Sequence, residues 1–286
     1  MALPTTDTHV SYPSGATAGT ATVVHIEPVG GRFAVLLDVT PCHPVDAGWP
    51  DQGPDRATLT WNGGSSDVLD CVVAATDGSQ LYLGGDIPVR KGTGGWTFVV
   101  AHIVADPPPL GQVVTVEVDA KHRRALSLGH TGCHLASLAL NRAMADRWRK
   151  PVEPDALGAP GFDGAANDSS RILEGGSLDS YRLGKSLRKK GFTTDGLADD
   201  LPAIQSAINA TLAEWIATGA PVRIDRDGDR LTDRRYWVCT LPEGEAAIPC
   251  GGTHAVSLRE LGALEAALSL YDDNGTPVLR METARK

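Results

Sequence analysis

Residues 20–120 constrain the fold most, because they consist of short segments that suit β-strands and little else. The segments are rich in Val, Thr and aromatic residues, and Gly, Pro and Asp separate them at regular intervals. β-Branched and aromatic side chains favour strands, while the separating residues favour turns. This spacing indicates a small barrel or a folded sheet. The segments are ATVVHIEP, RFAVLLDVT, ATLTW, DVLDCVVAAT, SQLYLGG, WTFVVAHIV and QVVTVEVDA.

The pattern changes near residue 121, where helical periodicity begins. Apolar residues recur at helical spacing over residues 123–148 and again over residues 197–218. Residues 151–169, between the two helices, are rich in Pro, Gly and Asp and predict a long loop. The segments PVRIDRD and RRYWVCTL then predict strands, LRELGALEA a short helix, and Asn274-Gly275 the turn of a closing hairpin.

We therefore predict an α+β fold with two domains. Residues 1–120 form a small β-barrel-like subdomain, and residues 121–286 form an α/β domain in which an antiparallel sheet packs on helices. The five cysteines are few, odd in number and scattered, which argues against a disulfide framework and for a reducing cytoplasm. The first residues lack the pattern of a secretory signal, and no apolar run approaches the roughly 18 residues that span a bilayer. We expect a cytoplasmic protein with no membrane partner.

The net charge of −9 is unevenly distributed. Residues 1–120 hold four Lys and Arg against thirteen Asp and Glu, whereas residues 121–150 hold seven Lys and Arg and one acid. Residues 182–190, RLGKSLRKK, add five bases and no acid. An acidic protein with concentrated basic stretches can still bind a polyanion, since phosphate binding depends on the local field. The alternative is that these stretches are the solvated faces of two helices.

Two short clusters of potential metal ligands stand far apart in the sequence. His130 and His134 are four residues apart at the start of the apolar helix, so their imidazoles lie over one turn. Cys250 and His254 are also four apart, with two glycines between them that permit unusual backbone angles. Three nitrogens and one sulfur suit zinc. A pair of helix histidines with no metal remains the alternative for the first cluster. Thr131 stands where a zincin would carry its glutamate base.

Both clusters resemble the zinc motifs of alanyl-tRNA editing domains, the second additional domain of the threonyl- and alanyl-tRNA synthetase superfamily. VDAKHRRALSLGHTGCHLASLAL is similar to the segment in which Asp and Arg-Arg precede H-T-A-x-H-L-L, and PCGGTHAVSLRELG is similar to the C-G-G-T-H motif. The resemblance covers most of residues 115–286. It extends weakly to LDVTPCHPVDAGWPDQG, in which Trp49 replaces a glutamine of the family's glycine-rich motif and Ala47 its first glycine.

The resemblance implies a stand-alone editing hydrolase that cleaves the ester between a wrong amino acid, serine or glycine, and alanine tRNA. It implies that His130, His134, Cys250 and His254 bind Zn²⁺, and that Thr131 and Thr253 line the catalytic pocket. The acceptor end of the tRNA is then the partner, and the basic stretches are candidates for phosphate contacts. These candidates are Lys121, Arg123, Arg124, Arg147, Arg149, Lys150, Arg182, Lys185, Arg188, Lys189 and Lys190.

Two other functions fit the same residues. A metal-dependent hydrolase of this fold could act on a small ester or amide rather than on tRNA, and Trp49 and the acidic β-rich half favour that interpretation. A zinc-stabilised binding module would use the metal for folding and catalyse nothing.

Overall fold

The computed structural model describes residues 2–286, which divide into two compact units. Unit 1 consists of the described part of Met1–Arg123 together with Arg226–Arg235 and Gly251–Thr253. Unit 2 consists of Arg124–Asp225, Tyr236–Cys250 and His254–Lys286. None of the five cysteines forms a disulfide. Within the described part of the chain, no helix combines the length and the hydropathy that crossing a membrane requires.

Unit 1 is built from nine strands. Two short strands, β1 and β4, pair in parallel, and the other seven form one antiparallel sheet. The strands are β1 (His9–Val10), β2 (Ala18–Val29), β3 (Arg32–Leu37), β4 (Val39–Thr40), β5 (Ala57–Trp61), β6 (Gly64–Thr76), β7 (Leu81–Leu83), β8 (Thr97–Val104) and β9 (Val113–Val118).

The larger sheet closes into a six-stranded barrel. The strands follow the order β5-β9-β2-β3-β8-β6, and β6 pairs with β5 to complete the ring, while β7 extends β6 on the outside. Strand β9 shows why the sequence closes this way, since Val114, Val116 and Val118 are buried and alternate with exposed residues. Alternation places one face of each strand in the barrel core and the other in solvent. The predicted barrel-like fold of this half is therefore confirmed.

One part of unit 1 lies beyond the predicted domain boundary. Residues 226–235 were assigned to the second domain, yet Leu231 is buried in the barrel core of unit 1. Its backbone N–H donates to the carbonyl of Thr8, and Val10 donates to the carbonyl of Asp229. Leu231 is the apolar residue of the polar run DRDGDRLTD, and burial of one leucine contributes about 2 kcal/mol to holding this loop, alongside these hydrogen bonds.

Unit 2 combines helices with two antiparallel sheets. One sheet has the strand order β10-β11-β16-β15, and the other has the order β12-β13-β14. Its elements are α1 (Ala120–Ala143, which begins in unit 1), α2 (Phe162–Ala166), β10 (Asn167–Leu173), β11 (Gly176–Arg182), α3 (Lys185–Lys189), α4 (Leu197–Thr218), β12 (Val222–Arg226), β13 (Arg235–Leu241), β14 (Gly244–Pro249), β15 (Leu264–Asp273) and β16 (Thr276–Arg285).

The core of unit 2 lies between its helices and strands. Leu135 and Leu140 of α1, together with Ile208 and Leu212 of α4, belong to one buried cluster with Leu279 of β16. Helix α4 is also hydrogen-bonded to β15, because the Asn209 amide donates to the carbonyl of Ala266 and accepts from its N–H. Helices α1 and α4 therefore pack on strands that lie far from them in the sequence.

Two predicted helices differ from the structure in extent. The helix predicted over residues 123–148 ends at Ala143, and Ala145–Arg147 form a separate 3₁₀ turn. The helix predicted in LRELGALEA is a 3₁₀ turn of Leu258–Leu261, after which β15 begins at Leu264. Gly262 ends that turn with a φ of 65°, an angle that glycine adopts without strain.

Candidate metal centre

Helix α1 presents the first two candidate ligands. Asp119 caps its first turn, because one carboxylate oxygen accepts hydrogen bonds from the N–H groups of Lys121 and His122 at 3.0 Å. These bonds hold the pKa of Asp119 below its usual value. The helix then brings His130 and His134 to one face, with ring centroids 4.9 Å apart. The i, i+4 spacing thus has the geometric effect expected from the sequence.

The loop after β14 presents the other two candidate ligands. Strand β14 ends at Pro249, and Cys250 and His254 follow within five residues. The Cys250 Sγ lies 3.2 Å from His254 Nε2 and 3.4 Å from His130 Nε2. Gly251 does not adopt a positive φ, so the expectation that this glycine supplies an unusual backbone angle is wrong. The glycine leaves space instead, since no atom lies within 4 Å of the position a Cβ would take.

The four side chains converge within unit 2. The ring centroids of His130 and His254 are 4.4 Å apart, and those of His134 and His254 are 5.2 Å apart. One ligand atom from each of the four residues lies within 4.8 Å of the others. A tetrahedral metal with bonds of about 2.0–2.3 Å separates its ligand atoms by roughly 3–4 Å. The described group could therefore hold one metal ion.

His134 gives a separate indication of a metal. Its Nε2 atom is buried and has no hydrogen-bond partner, although buried ring nitrogens normally have one. Burial lowers the pKa of His134 to about 4, so the imidazole is neutral at pH 7, the form that binds metal. The indole ring of Trp237, fully buried on β13, lies 5.2 Å from the imidazole. The residues present thus fit a divalent cation bound by three nitrogens and one sulfur.

Thr131 contacts one of the candidate ligands rather than standing free. Its Oγ1 accepts a hydrogen bond from the N–H of Ala255 at 3.0 Å and lies 3.4 Å from His254 Nδ1. If His254 Nε2 binds a metal, Nδ1 must carry the ring proton and can donate it to Thr131. Such a bond fixes the tautomer and orientation of a ligating histidine. Thr131 therefore contacts both His254 and the backbone of the residue that follows it.

Gln52 contacts the second ligand loop, a role that its sequence context does not predict. Its side chain is 1% exposed, and its amide makes two hydrogen bonds to Thr253 within unit 1. Nε2 donates to the Thr253 hydroxyl at 2.9 Å, and Oε1 accepts from the Thr253 N–H at 3.0 Å. Thr253 immediately precedes His254 along the chain. Gln52 lies three residues after Trp49, but Thr253 is 201 residues away in the sequence. No local pattern therefore connects the two residues.

Arg123 has a different environment from the one predicted for a phosphate contact. It is 5% exposed, and its guanidinium forms an ion pair with Asp55 and donates to the carbonyls of Pro41 and Ala16. These bonds use four of the five guanidinium N–H donors of a buried side chain, so Arg123 offers little to a phosphate, and its contact with tRNA stays a prediction. Arg123 instead ties the start of α1 to loops of unit 1.

The other predicted basic residues fall into two groups. Arg124, Arg147 and Arg182 form ion pairs with Glu260, Asp200 and Asp273, respectively. The remainder are exposed, and five of them come together in unit 2, where Arg149 donates its N–H to the Gly191 carbonyl and Lys150 Nζ lies 3.4 Å from the Lys189 carbonyl. None of these five forms an ion pair among the described residues. We call them the basic patch: Arg149, Lys150, Arg188, Lys189 and Lys190.

Comparison with known proteins gives one consistent result. The chain is 25% identical over 82% of its length to an alanine–tRNA ligase of Parafrankia sp., and 28% identical over 82% of its length to that of Frankia casuarinae. It spans 22% of the length of each ligase. It is also 25% identical over 81% of its length to the alanyl-tRNA editing protein AlaX-M of Pyrococcus horikoshii, of which it covers 78%. No protein-family profile matches the chain. The resemblance to alanyl-tRNA editing proteins is confirmed.

Proposed function

We propose that this chain, a relative of alanyl-tRNA editing proteins, is a trans-editing hydrolase that deacylates mischarged tRNA in the cytoplasm. Its substrates would be seryl or glycyl esters of alanine tRNA. The observation that carries the proposal is the convergence of His130, His134, Cys250 and His254 in unit 2. These are the residues that the resemblance to the family implies, and AlaX-M is covered over most of its length.

Zinc is the metal that the donor set favours, because imidazole and thiolate ligands in a four-coordinate site suit Zn²⁺. When bound, the ion would act as a Lewis acid toward the substrate. The protein's own contribution is to hold the ligands in fixed orientations. Thr131 holds the His254 ring through Nδ1, and Trp237 packs against His134. A fixed site is effective because an aminoacyl ester is already reactive and needs chiefly positioning.

Thr253 is the residue we assign to recognition of the substrate side chain. Its hydroxyl oxygen accepts a hydrogen bond from Gln52, which fixes the position of that oxygen beside the candidate ligand His254 in the sequence. A threonine hydroxyl in the pocket would hydrogen-bond the hydroxyl of serine, which the methyl group of alanine cannot do. This contact accounts for a preference for serine over alanine, and the expectation for glycine rests on the family resemblance alone.

The basic patch is the surface we assign to the tRNA backbone. Five cations with no ion-pair partner among the described residues create a positive field on unit 2, while the chain as a whole is acidic. Lys121, exposed at the start of α1, is a further candidate. Contacts of this kind position the nucleic acid without reading its bases.

The direct test is hydrolysis of seryl-, glycyl- and alanyl-esters of alanine tRNA by the purified protein, with the metal content measured in the same sample. We expect seryl or glycyl tRNA to be deacylated and alanyl tRNA to be spared. His134→Ala should abolish turnover and lower the bound metal. Hydrolysis of small amino-acid esters with no action on any tRNA would contradict the proposal and favour a small-ester hydrolase, for which the exposed Trp49 is the supporting observation.

A further inference from the structure

Unit 1 contains a cavity of about 590 Å³ that the candidate metal centre does not include. The loop of Asp46–Trp49 forms one wall, and residues between Gly84 and Lys91 form another. Val73 and Phe98, both buried in the barrel wall, form its apolar floor. We call it the Trp49 cavity. Its volume is within the range of about 300–1,000 Å³ typical of ligand sites.

Trp49 is the most unusual residue of this cavity, because its ring is exposed. Its side chain is 70% exposed, although tryptophan is usually buried to a large extent. Its backbone N–H donates to the Asp46 carbonyl at 2.9 Å, so the loop that carries the ring is held in a turn. An exposed indole on an ordered turn at the edge of an apolar cavity offers a flat surface for another ring to stack on.

The charges around the cavity favour an aromatic ligand that also carries a negative charge. Residues 1–120 contain only four basic residues against thirteen acids, and two of the four, Arg90 and Lys91, line this cavity. Lys91 is paired with Asp46, while Arg90 is exposed and makes no ion pair among the described residues. The cavity is therefore lined by both an exposed aromatic ring and a cation that forms no ion pair among the described residues, on an otherwise acidic unit.

We propose that the Trp49 cavity binds an unpaired nucleotide of an RNA strand, with its base stacked on Trp49 and its phosphate paired with Arg90. Aromatic side chains stack on unpaired bases, and neighbouring cations bind the backbone, in many proteins that hold single strands. A paired base hides both of its faces in the duplex, so only an unpaired segment fits. The inference rests on the proposed function, because that function makes RNA the substrate, and it adds a second contact point on unit 1.

The test is fluorescence anisotropy of the whole protein with a labelled single-stranded RNA octamer that cannot pair with itself. We expect the octamer to bind more tightly than the same octamer annealed to its complement. Trp49→Ala should weaken binding roughly tenfold, whereas Trp49→Phe keeps a stacking ring and most of the affinity. Arg90→Ala should lower the slope of log affinity against log salt by about 0.7, the value for one phosphate contact on a single strand.

Arg32→Ala is the matched control, because it removes one exposed cation of unit 1 outside the cavity and should leave the salt slope unchanged. Photocrosslinking of a bromouridine octamer should label the peptide that contains Trp49. Wild-type affinity in Trp49→Ala, or crosslinks only at the basic patch, would overturn the proposal. Binding of free CMP as tightly as the octamer would overturn the assignment to an RNA strand.

The outcomes separate this proposal from the proposed function, because the octamer carries no aminoacyl ester. If Trp49→Ala loses octamer binding and the wild-type protein deacylates no tRNA, the RNA site is supported and the proposed hydrolase activity is refuted. If the Trp49→Ala variant deacylates seryl tRNA and binds the octamer as the wild type does, the hydrolase activity is supported and the RNA site at Trp49 is refuted.

Discussion

Gln52 makes the most specific residue-level contact outside the candidate ligands. Gln52→Ala would leave the buried N–H of Thr253 without its acceptor, and an unsatisfied buried group costs about 1–3 kcal/mol. We expect a loss of about 2 kcal/mol in the free energy of unfolding, measured by urea titration. Gln80→Ala, at an exposed position, is the control, and an equal loss there would refute the assigned role.

His43 makes stability depend on pH. Burial lowers its pKa from 6.5 to about 4, so the folded protein excludes a proton that the unfolded chain binds below pH 6.5. Its contribution is complete above pH 6.5 and is lost as the pH falls toward 4. We expect the free energy of unfolding to fall by about 2 kcal/mol between pH 7 and pH 5 from this group.

His43→Phe isolates that contribution. The phenyl ring can keep the edge contact with Tyr12, whose ring centroid lies 5.1 Å from that of His43, and it cannot be protonated. Urea titration at pH 7 and pH 5 should therefore show a smaller fall in the variant than in the wild type. An unchanged fall would mean that other groups cause the acid sensitivity.

The four candidate ligands could be predicted from the sequence because each pair lies within one short motif of metal-binding residue types. Spacing of four residues on a helix gives the geometry of His130 and His134 directly. Arg123 and Gln52 could not be assigned in this way. Each is defined by one distant partner, Asp55 and Thr253 respectively, and a single sequence carries no signal that joins them.

At the scale of elements, the contact of α1 with the β10–β11 turn positions the first two ligands. A Cβ on Gly129 would lie 2.2 Å from the Leu173 carbonyl oxygen and 2.4 Å from that of Gly176, and both are backbone atoms. Gly129→Ala should therefore destabilise unit 2 by on the order of 3 kcal/mol and displace the adjacent His130.

Thermal unfolding and metal content would check this prediction. Gly164→Ala in α2 is the matched control, since no atom lies within 4 Å of its added Cβ. We expect the control to melt close to the wild type and to keep its metal. A Gly129→Ala protein as stable as the wild type would show that α1 does not need this close approach.

Elements with strong local signals were predicted well, and those set by distant packing were not. Helix α4 spans Leu197–Thr218 as predicted, and Asn274 and Gly275 form the hairpin turn with φ values of 52° and 81°. The LRELGALEA segment was misassigned, because Leu264 and Ala266 pair in β15 and pack in the core of unit 2. Strand pairing there outweighs a helical propensity that is only local.

At the scale of the whole molecule, the uneven charge predicts how tRNA is bound. Lys189→Ala/Lys190→Ala removes two cations of the basic patch and should lower the slope of log affinity for tRNA against log salt by about 1–2. Arg32→Ala/Arg234→Ala removes the same charge from exposed positions of unit 1 and is the control. Equal effects of the two double variants would mean that net charge, and not the patch, governs binding.

Zinc-edge X-ray absorption of the purified protein measures directly whether three imidazoles and one thiolate hold one metal ion. We predict one sulfur at about 2.3 Å and three nitrogens at about 2.0–2.1 Å, with the sulfur lost in Cys250→Ser. A protein that retains no metal, or a shell of oxygen and nitrogen alone in the wild type, would contradict the account.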